Sequence, residues 1–349
     1  MTIELRRDLD FIVENTTILF SQLQNQSVFI TGATGFFGKW LLYTLKWANH
    51  QGGYSIKITA LSRNPNQFIK NHPHLAKDVT FIQGDVVDFS FPNQHYDYII
   101  HAATPASKKL NNEQPTLMLN TIIAGTQRVL AFSKYCNAKR ILHTSSGAVY
   151  GIQPTNIDNV TEDYLGAPDI SNVKNAYSEG KRIAELLGVI HANETGIEFV
   201  NARCFAFIGL YLPLTSHFAI GNFINNGLNN EAIIIKGNGT PKRSYLYMAD
   251  LVIWLLTILI NGENKEAYNV GSDISLSITK LAQAVHLHFP KSPIEILQKP
   301  LPDRLPERYV PSIEKAKNEL GLKVITSLDQ ALEKTIKQIL HSRNSNYLL

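Results

Sequence analysis

The chain is poor in cysteine, with only Cys136 and Cys204 among 349 residues. Two thiols without metal-ligand spacing exclude a disulfide framework and a cysteine-held metal centre, and both read as buried packing residues. Long apolar runs are missing too. No stretch reaches the ~18 to 20 uninterrupted apolar residues needed to span a bilayer. Leu251 to Ile260 is apolar but short, and reads as a buried helix. Residues 1–25 contain Arg6, Arg7 and several acids but no continuous apolar core and no small-residue cleavage site, so a cytoplasmic protein without a secretory signal is expected. Charge is modest: 18% charged residues and a net +4, with lysines scattered instead of gathered in a stripe. That balance argues against nucleic-acid and membrane partners, and an anionic small molecule suffices to explain it.

What is present is organised by strands and turns. Ser27-Val28-Phe29-Ile30 reads as a short apolar strand, followed by Thr31-Gly32-Ala33-Thr34-Gly35-Phe36-Phe37-Gly38 and a helical run from Lys39 to Trp47. Strand, glycine turn and helix in that order form a dinucleotide cradle: Gly32 allows the tight turn, Gly35 lets backbone approach a pyrophosphate, and Gly38 lets helix and strand pack closely. The helix N-terminus then offers unpaired N–H groups and a partial positive charge to the phosphates. Further strands are expected at 56–61, 79–82, 98–103, 140–144 and 197–202, most of them separated by helical runs. Such alternation predicts an α/β protein, a Rossmann doubly wound parallel sheet with its ligand outside the carboxyl ends of the strands. Residues 3–24 predict an amphipathic helical extension. Past about residue 206, glycine, proline and asparagine punctuation suggests a smaller C-terminal substrate-binding lobe.

Tyr177 and Lys181 lie four apart on a helix-forming run, so their side chains share one face. A neighbouring ammonium favours the phenolate, which makes the pair an acid/base unit for taking a proton from an alcohol. Where the second strand ends, NAD-binding units place an acid for the ribose 2′-OH; here Ser62-Arg63 occupies the position, which favours NADP over NAD.

These motifs resemble the extended short-chain dehydrogenase/reductases, the NAD(P)-dependent nucleotide-sugar epimerase/dehydratase family, whose glycine motif is Thr-Gly-x-x-Gly-Phe-x-Gly and whose catalytic pair is Tyr-x-x-x-Lys. The resemblance covers roughly residues 26 to 325. It implies an NAD(P)-binding Rossmann domain at 26–205 plus about 244–271, and a nucleotide-sugar-binding domain at about 206–243 plus 272–349, behind an N-terminal extension at 1–25. On the cofactor side it implies Gly32, Thr34, Gly35, Phe36, Phe37 and Gly38 at the phosphates. It adds Asp85 and Val86 by the adenine, Ala102, Ala103 and Thr104 by the nicotinamide ribose, and Asn120 near the active site. Ser146, with Ser145 beside it, matches the catalytic serine or threonine. With Tyr177 it would hydrogen-bond the oxidised hydroxyl, while Lys181 lowers the tyrosine's pKa and holds the nicotinamide ribose.

For the substrate, a nucleotide-diphosphate sugar, the resemblance implies Ser107, Asn222, Arg243 and Arg308. Two arginines suit a diphosphate because guanidinium matches phosphate geometry and stays charged. Ala206 replaces an asparagine that commonly contacts substrate. The 4,6-dehydratases of the family carry Asp-Glu before Val-Tyr-Gly, and decarboxylases usually keep the glutamate; here Gly147 and Ala148 stand in those places. Ser-Ser-x-x-Val-Tyr-Gly is similar to the sugar 4-epimerases. The implied activity is therefore C4 epimerisation through transient hydride transfer, ahead of NADPH-dependent ketosugar reduction and of dehydration or decarboxylation. A dinucleotide-sensing protein is the non-enzymatic alternative, disfavoured by the intact tyrosine. Helices near 117–134 and 177–192 would suit a homodimer.

Overall fold

The computed structural model describes residues 1–104, 108–216, 218–300 and 305–344. Its centre is a seven-stranded parallel sheet. Six strands, β1 (Ser27–Thr31), β2 (Lys57–Ser62), β3 (Thr80–Gln83), β4 (Tyr98–His101), β5 (Arg140–Ser146) and β6 (Glu198–Cys204), are joined by a seventh, Ala267–Val270. The order, from that seventh strand through β6, β5, β4, β1 and β2 to β3, reverses direction between β1 and β4. This is the predicted doubly wound α/β architecture, and the reversal opens a crevice at the carboxyl ends of β1 and β4. Three small sheets lie beyond it among the described residues. One of them pairs Leu276–Ser277, Lys242–Arg243 and Arg308–Tyr309.

Central strands covered on both faces must be apolar throughout, as β1 is, with all five residues buried. Helix Phe36–Gly52 follows the glycine turn, starting three residues earlier and ending later than the sequence pattern predicts; it stops where Gly53 takes a left-handed φ of 64°. Helix Met248–Asn261 buries nearly every residue, which accounts for the apolar run of the sequence. Among the described residues no helix is long and apolar enough to cross a membrane.

The N-terminal extension is two helices, Ile3–Asn15 and Thr17–Gln22, not one. Leu5, Leu9 and Ile12 join the main core. Asp8, fully buried, accepts hydrogen bonds from the Tyr247 hydroxyl (2.6 Å), Lys334 Nζ (2.7 Å) and Gln338 Nε2 (2.8 Å). A buried carboxylate requires such partners.

Candidate active site

The glycine turn has the shape of a cradle. Gly32 has φ 71°, and a Cβ there would stand 2.5 Å from the Ala102 carbonyl oxygen; one on Gly38 would stand 2.3 Å from Gly32 O. Only glycine fits both places. Gly35 caps helix Phe36–Gly52 and has no side chain to bond the first-turn N–H groups, which leaves this helix start suited to a pyrophosphate. Thr34, Phe36 and Phe37 are half-buried around it, Phe37 edge-on to Phe207 at 5.0 Å. These residues fit a dinucleotide.

Along the crevice, Ser62 is buried at the end of β2 and accepts from the Asn64 N–H, while Arg63 is exposed. Asp85 closes its own turn by accepting from the Val87 N–H at 3.2 Å, and Val86 is buried against Gly125. Ala102, Ala103 and Thr104 leave β4 half-buried, fixed by Ala103 N–H donating to Thr31 Oγ1. Asn120 is a correction: it is exposed on helix Pro115–Tyr135, on the face opposite buried Met118, Ile122 and Gly125. Helical periodicity turns it away from the crevice. Ser107 lies outside the described residues.

Helix Ala176–Thr195 brings Tyr177 and Lys181 to the end of β5. Lys181 is 2% exposed and donates to Thr104 Oγ1 (2.7 Å), to the Thr144 carbonyl (2.7 Å) and, at 3.4 Å, to His143 Nε2. Burial lowers its pKa to about 8 against the raising pull of Cys204 and Glu185. The expected lowering of the Tyr177 phenol is not found in the protein alone. Burial raises its pKa, the Ser146 hydroxyl draws it partly back, and the Lys181 ammonium is directed to Thr104, Thr144 and His143.

Ser146 reaches the same place. Its Oγ accepts from the Ala148 N–H at 3.2 Å and lies 3.4 Å from the Tyr309 hydroxyl. Ser145, expected beside it in catalysis, faces the other side, because successive strand residues alternate. It donates to Glu185 Oε1 at 2.5 Å, and Glu185 is held in turn by Arg203 at 2.8 Å. The Ser145–Glu185 bond ties helix Ala176–Thr195 to the sheet. At Gly147 a Cβ would overlap the Phe205 ring at 2.5 Å, so the space for an acid there is filled.

On the substrate side, Arg243 and Tyr309 are register partners of paired parallel strands, with the guanidinium 5.9 Å from the phenol ring centre. Arg308 alternates to the other side, where Asp158 takes its guanidinium at 2.7 Å. The two predicted arginines therefore do not converge. Asn222 donates to the Ser216 carbonyl. Tyr309 and His143 were missed from sequence; strand alternation next to Arg308 was the one signal for Tyr309. A separate cavity of about 920 Å³, lined by Arg182, Glu185, Leu186 and Lys315 among others, includes none of Ser146, Tyr177, Lys181 and Tyr309 in its wall.

The model of the NAD dependent epimerase/dehydratase family matches residues 28–271. Among curated proteins the chain is similar to UDP-glucuronic acid decarboxylase 1 of Danio rerio, 30% identical over 98% of this chain and 80% of the relative. It is 31% identical to UDP-glucuronic acid decarboxylase 6 of Arabidopsis thaliana, over 88% of this chain and 87% of the relative. A solved UDP-glucuronic acid 4-epimerase from Bacillus cereus, in complex with UDP-glucuronic acid and NAD, shares the fold. Its TM-score is 0.76 at 22% identity, covering 90% of this chain and 99% of that one.

Proposed function

From the premise that the chain belongs to the NAD dependent epimerase/dehydratase family and is an enzyme of it, we propose that it moves hydride at C4 of a nucleotide-diphosphate sugar. The convergence of Ser146, Tyr177 and Lys181 beside the glycine cradle carries this reading. The dinucleotide supplies the hydride acceptor or donor when bound, held by the turn at 32–38, Asp85 and the segment 102–104. Tyr177 takes the proton of the C4 hydroxyl on oxidation and returns it on reduction, Ser146 orients that oxygen, and the Lys181 charge favours the phenolate. Arg243 and Asn222 face the diphosphate.

The fate of the keto sugar separates the finer readings. The similarity to UDP-glucuronic acid decarboxylases favours decarboxylation of a UDP-uronic acid over the C4 epimerisation suggested by residues 144–151. A C4 ketone lies beta to the uronic carboxylate and accepts the C5–C6 electron pair as an enolate while CO2 leaves, so that bond breaks without an acid at 147 or 148. The enolate then takes up a proton from water at C5. Elimination of water is disfavoured, since Gly147 and Ala148 carry no carboxyl group. A second reading, NADPH-dependent ketosugar reduction, draws on exposed Arg63 and on the raised pKa of Tyr177, which keeps the phenol a proton donor at neutral pH.

Three incubations of the purified protein separate these outcomes. UDP-glucuronic acid with NAD releases CO2 from a decarboxylase. A nucleotide 4-keto sugar consumes NADPH stoichiometrically with a reductase, and C4 epimers interconvert without added cofactor on an epimerase. Normal turnover by Tyr177→Phe on the accepted substrate would overturn the hydride-transfer reading altogether. The protein also pairs as a homodimer in this reading, through the exposed Leu117, Ile183, Leu186 and Ile190 of helices Pro115–Tyr135 and Ala176–Thr195.

A further inference from the structure

We propose that His143 and Asn201 form a positioning pair that holds the Lys181 ammonium without neutralising it, an inference resting on the reading of Tyr177 and Lys181 as the hydride-transfer acid/base unit. His143 of β5 and Asn201 of β6 are register partners, and both are buried. His143 Nδ1 lies 3.0 Å from Asn201 Oδ1, and its Nε2 lies 3.4 Å from Lys181 Nζ. An ammonium only donates, so Nε2 is the bare nitrogen. Nδ1 then carries the proton and donates it to the Asn201 carbonyl oxygen. The asparagine thus fixes the tautomer that the lysine requires.

The surroundings make a neutral acceptor matter. Glu185, the carboxylate one helical turn beyond Lys181, is engaged by Arg203 and Ser145. From β6 Cys204 faces the lysine as a buried thiol whose pKa is pushed up to about 12. From β4 His101 stacks behind His143 at 5.4 Å, bonded to Thr31 and Thr126. Tyr177 lies on the lysine's own helix, and Tyr309 shares Ser146 with it. Burial and the Lys181 charge keep His143 neutral. A carboxylate in its place would cancel the ammonium's field; a neutral imidazole fixes the amine and leaves that field to act on the phenol.

The test uses the full chain labelled with 15N-histidine, the His143 signal assigned by its loss in His143→Gln. Long-range proton–nitrogen spectra between about pH 6 and 9 report the tautomer directly. The expected result is a neutral Nδ1–H ring whose Nε2 resonance moves in Lys181→Met. An Nε2–H tautomer, or a resonance indifferent to Lys181→Met, overturns the proposal. These spectra need no substrate, so they decide it even if the functional reading fails. On an accepted substrate, His143→Phe should lower turnover about tenfold or more with KM little changed. It should also move the alkaline limb of the pH profile to lower pH, while His143→Gln, which keeps an acceptor, restores most of both. Equal losses in the two variants would mark His143 as a packing residue and overturn the assignment.

Discussion

Lys181 directs its N–H groups to Thr104, Thr144 and His143, so in the proposed reaction its action on Tyr177 is charge at a distance; in the protein alone burial, Ser146 and Cys204 govern the phenol. Removing the phenolic hydroxyl with Tyr177→Phe is expected to cut turnover by ~10²- to 10⁴-fold while dinucleotide binding, followed by NADH fluorescence, changes little. Because burial lowers the Lys181 pKa to about 8, the ammonium is lost above that pH, and kcat/KM should fall on the alkaline side with a limb near it. Arg63→Ala should weaken NADP binding and leave NAD binding nearly unchanged; equal effects on both would remove the arginine from cofactor choice. Tyr177 and Lys181 stood out because a spacing of four puts both side chains on one helix face, whereas Ser146, beyond the strand expected to end at Thr144, stood out only through its resemblance to the family's catalytic serine or threonine. Tyr309 did not: it meets Ser146 across 163 positions of chain, through strands of two residues that carry no periodic pattern. His143 reads as one more strand residue until β6 supplies Asn201 beside it.

Helix Ala176–Thr195 lies against the sheet so closely at Gly188 that a Cβ there would sit 2.0 Å from the ring of fully buried Phe199. Gly188→Ala should therefore destabilise the fold by about 1–3 kcal/mol, the cost of forcing a methyl group into a packed core, measured as a lowered urea midpoint. Elements of this kind were foreseen in type and order from strand–helix alternation, but their ends were not. The strand expected to stop at Thr144 continues to Ser146, because its register with β6 runs on to Cys204. The glycine-turn helix begins at Phe36 since Gly38, which looks like a breaker, sits inside its first turn where close packing demands it. The N-terminal extension divides at Thr16, whose hydroxyl bonds back to the Ile12 carbonyl, a local competition that hydrophobic spacing does not reveal.

For the whole molecule, acid stability is set by groups that the fold holds in one protonation state. Burial drives the pKa of His101 down to about 3 and that of His143 well below the usual value. The unfolded chain binds protons at both as pH falls below ~6.5 while the native protein does not. Stability is thus full above that pH and should decline by about 1.4 kcal/mol per pH unit for each histidine on acidification, visible in unfolding midpoints. Asp97 acts at lower pH. Burial raises its pKa, but hydrogen bonds from Lys139, Ser27 and His95 outweigh that and hold it well below the usual carboxylate range. Its contribution persists above the unfolded value and is lost as pH drops toward the folded one. At the scale of assembly, Leu186→Lys with Ile190→Lys should yield a monomer by sedimentation.

Asp8 also sets an order of events in synthesis. The first helix finds the Tyr247 hydroxyl for its carboxylate once residue 247 has emerged, but Lys334 and Gln338 only after residues 334 and 338 have left the ribosome. The glycine-turn helix and Met248–Asn261, against which that first helix packs, therefore meet its fully partnered form only once that later segment has been made. A nascent chain stalled short of residue 334 would bury Asp8 without its cation, and should hold the first helix less firmly against the core.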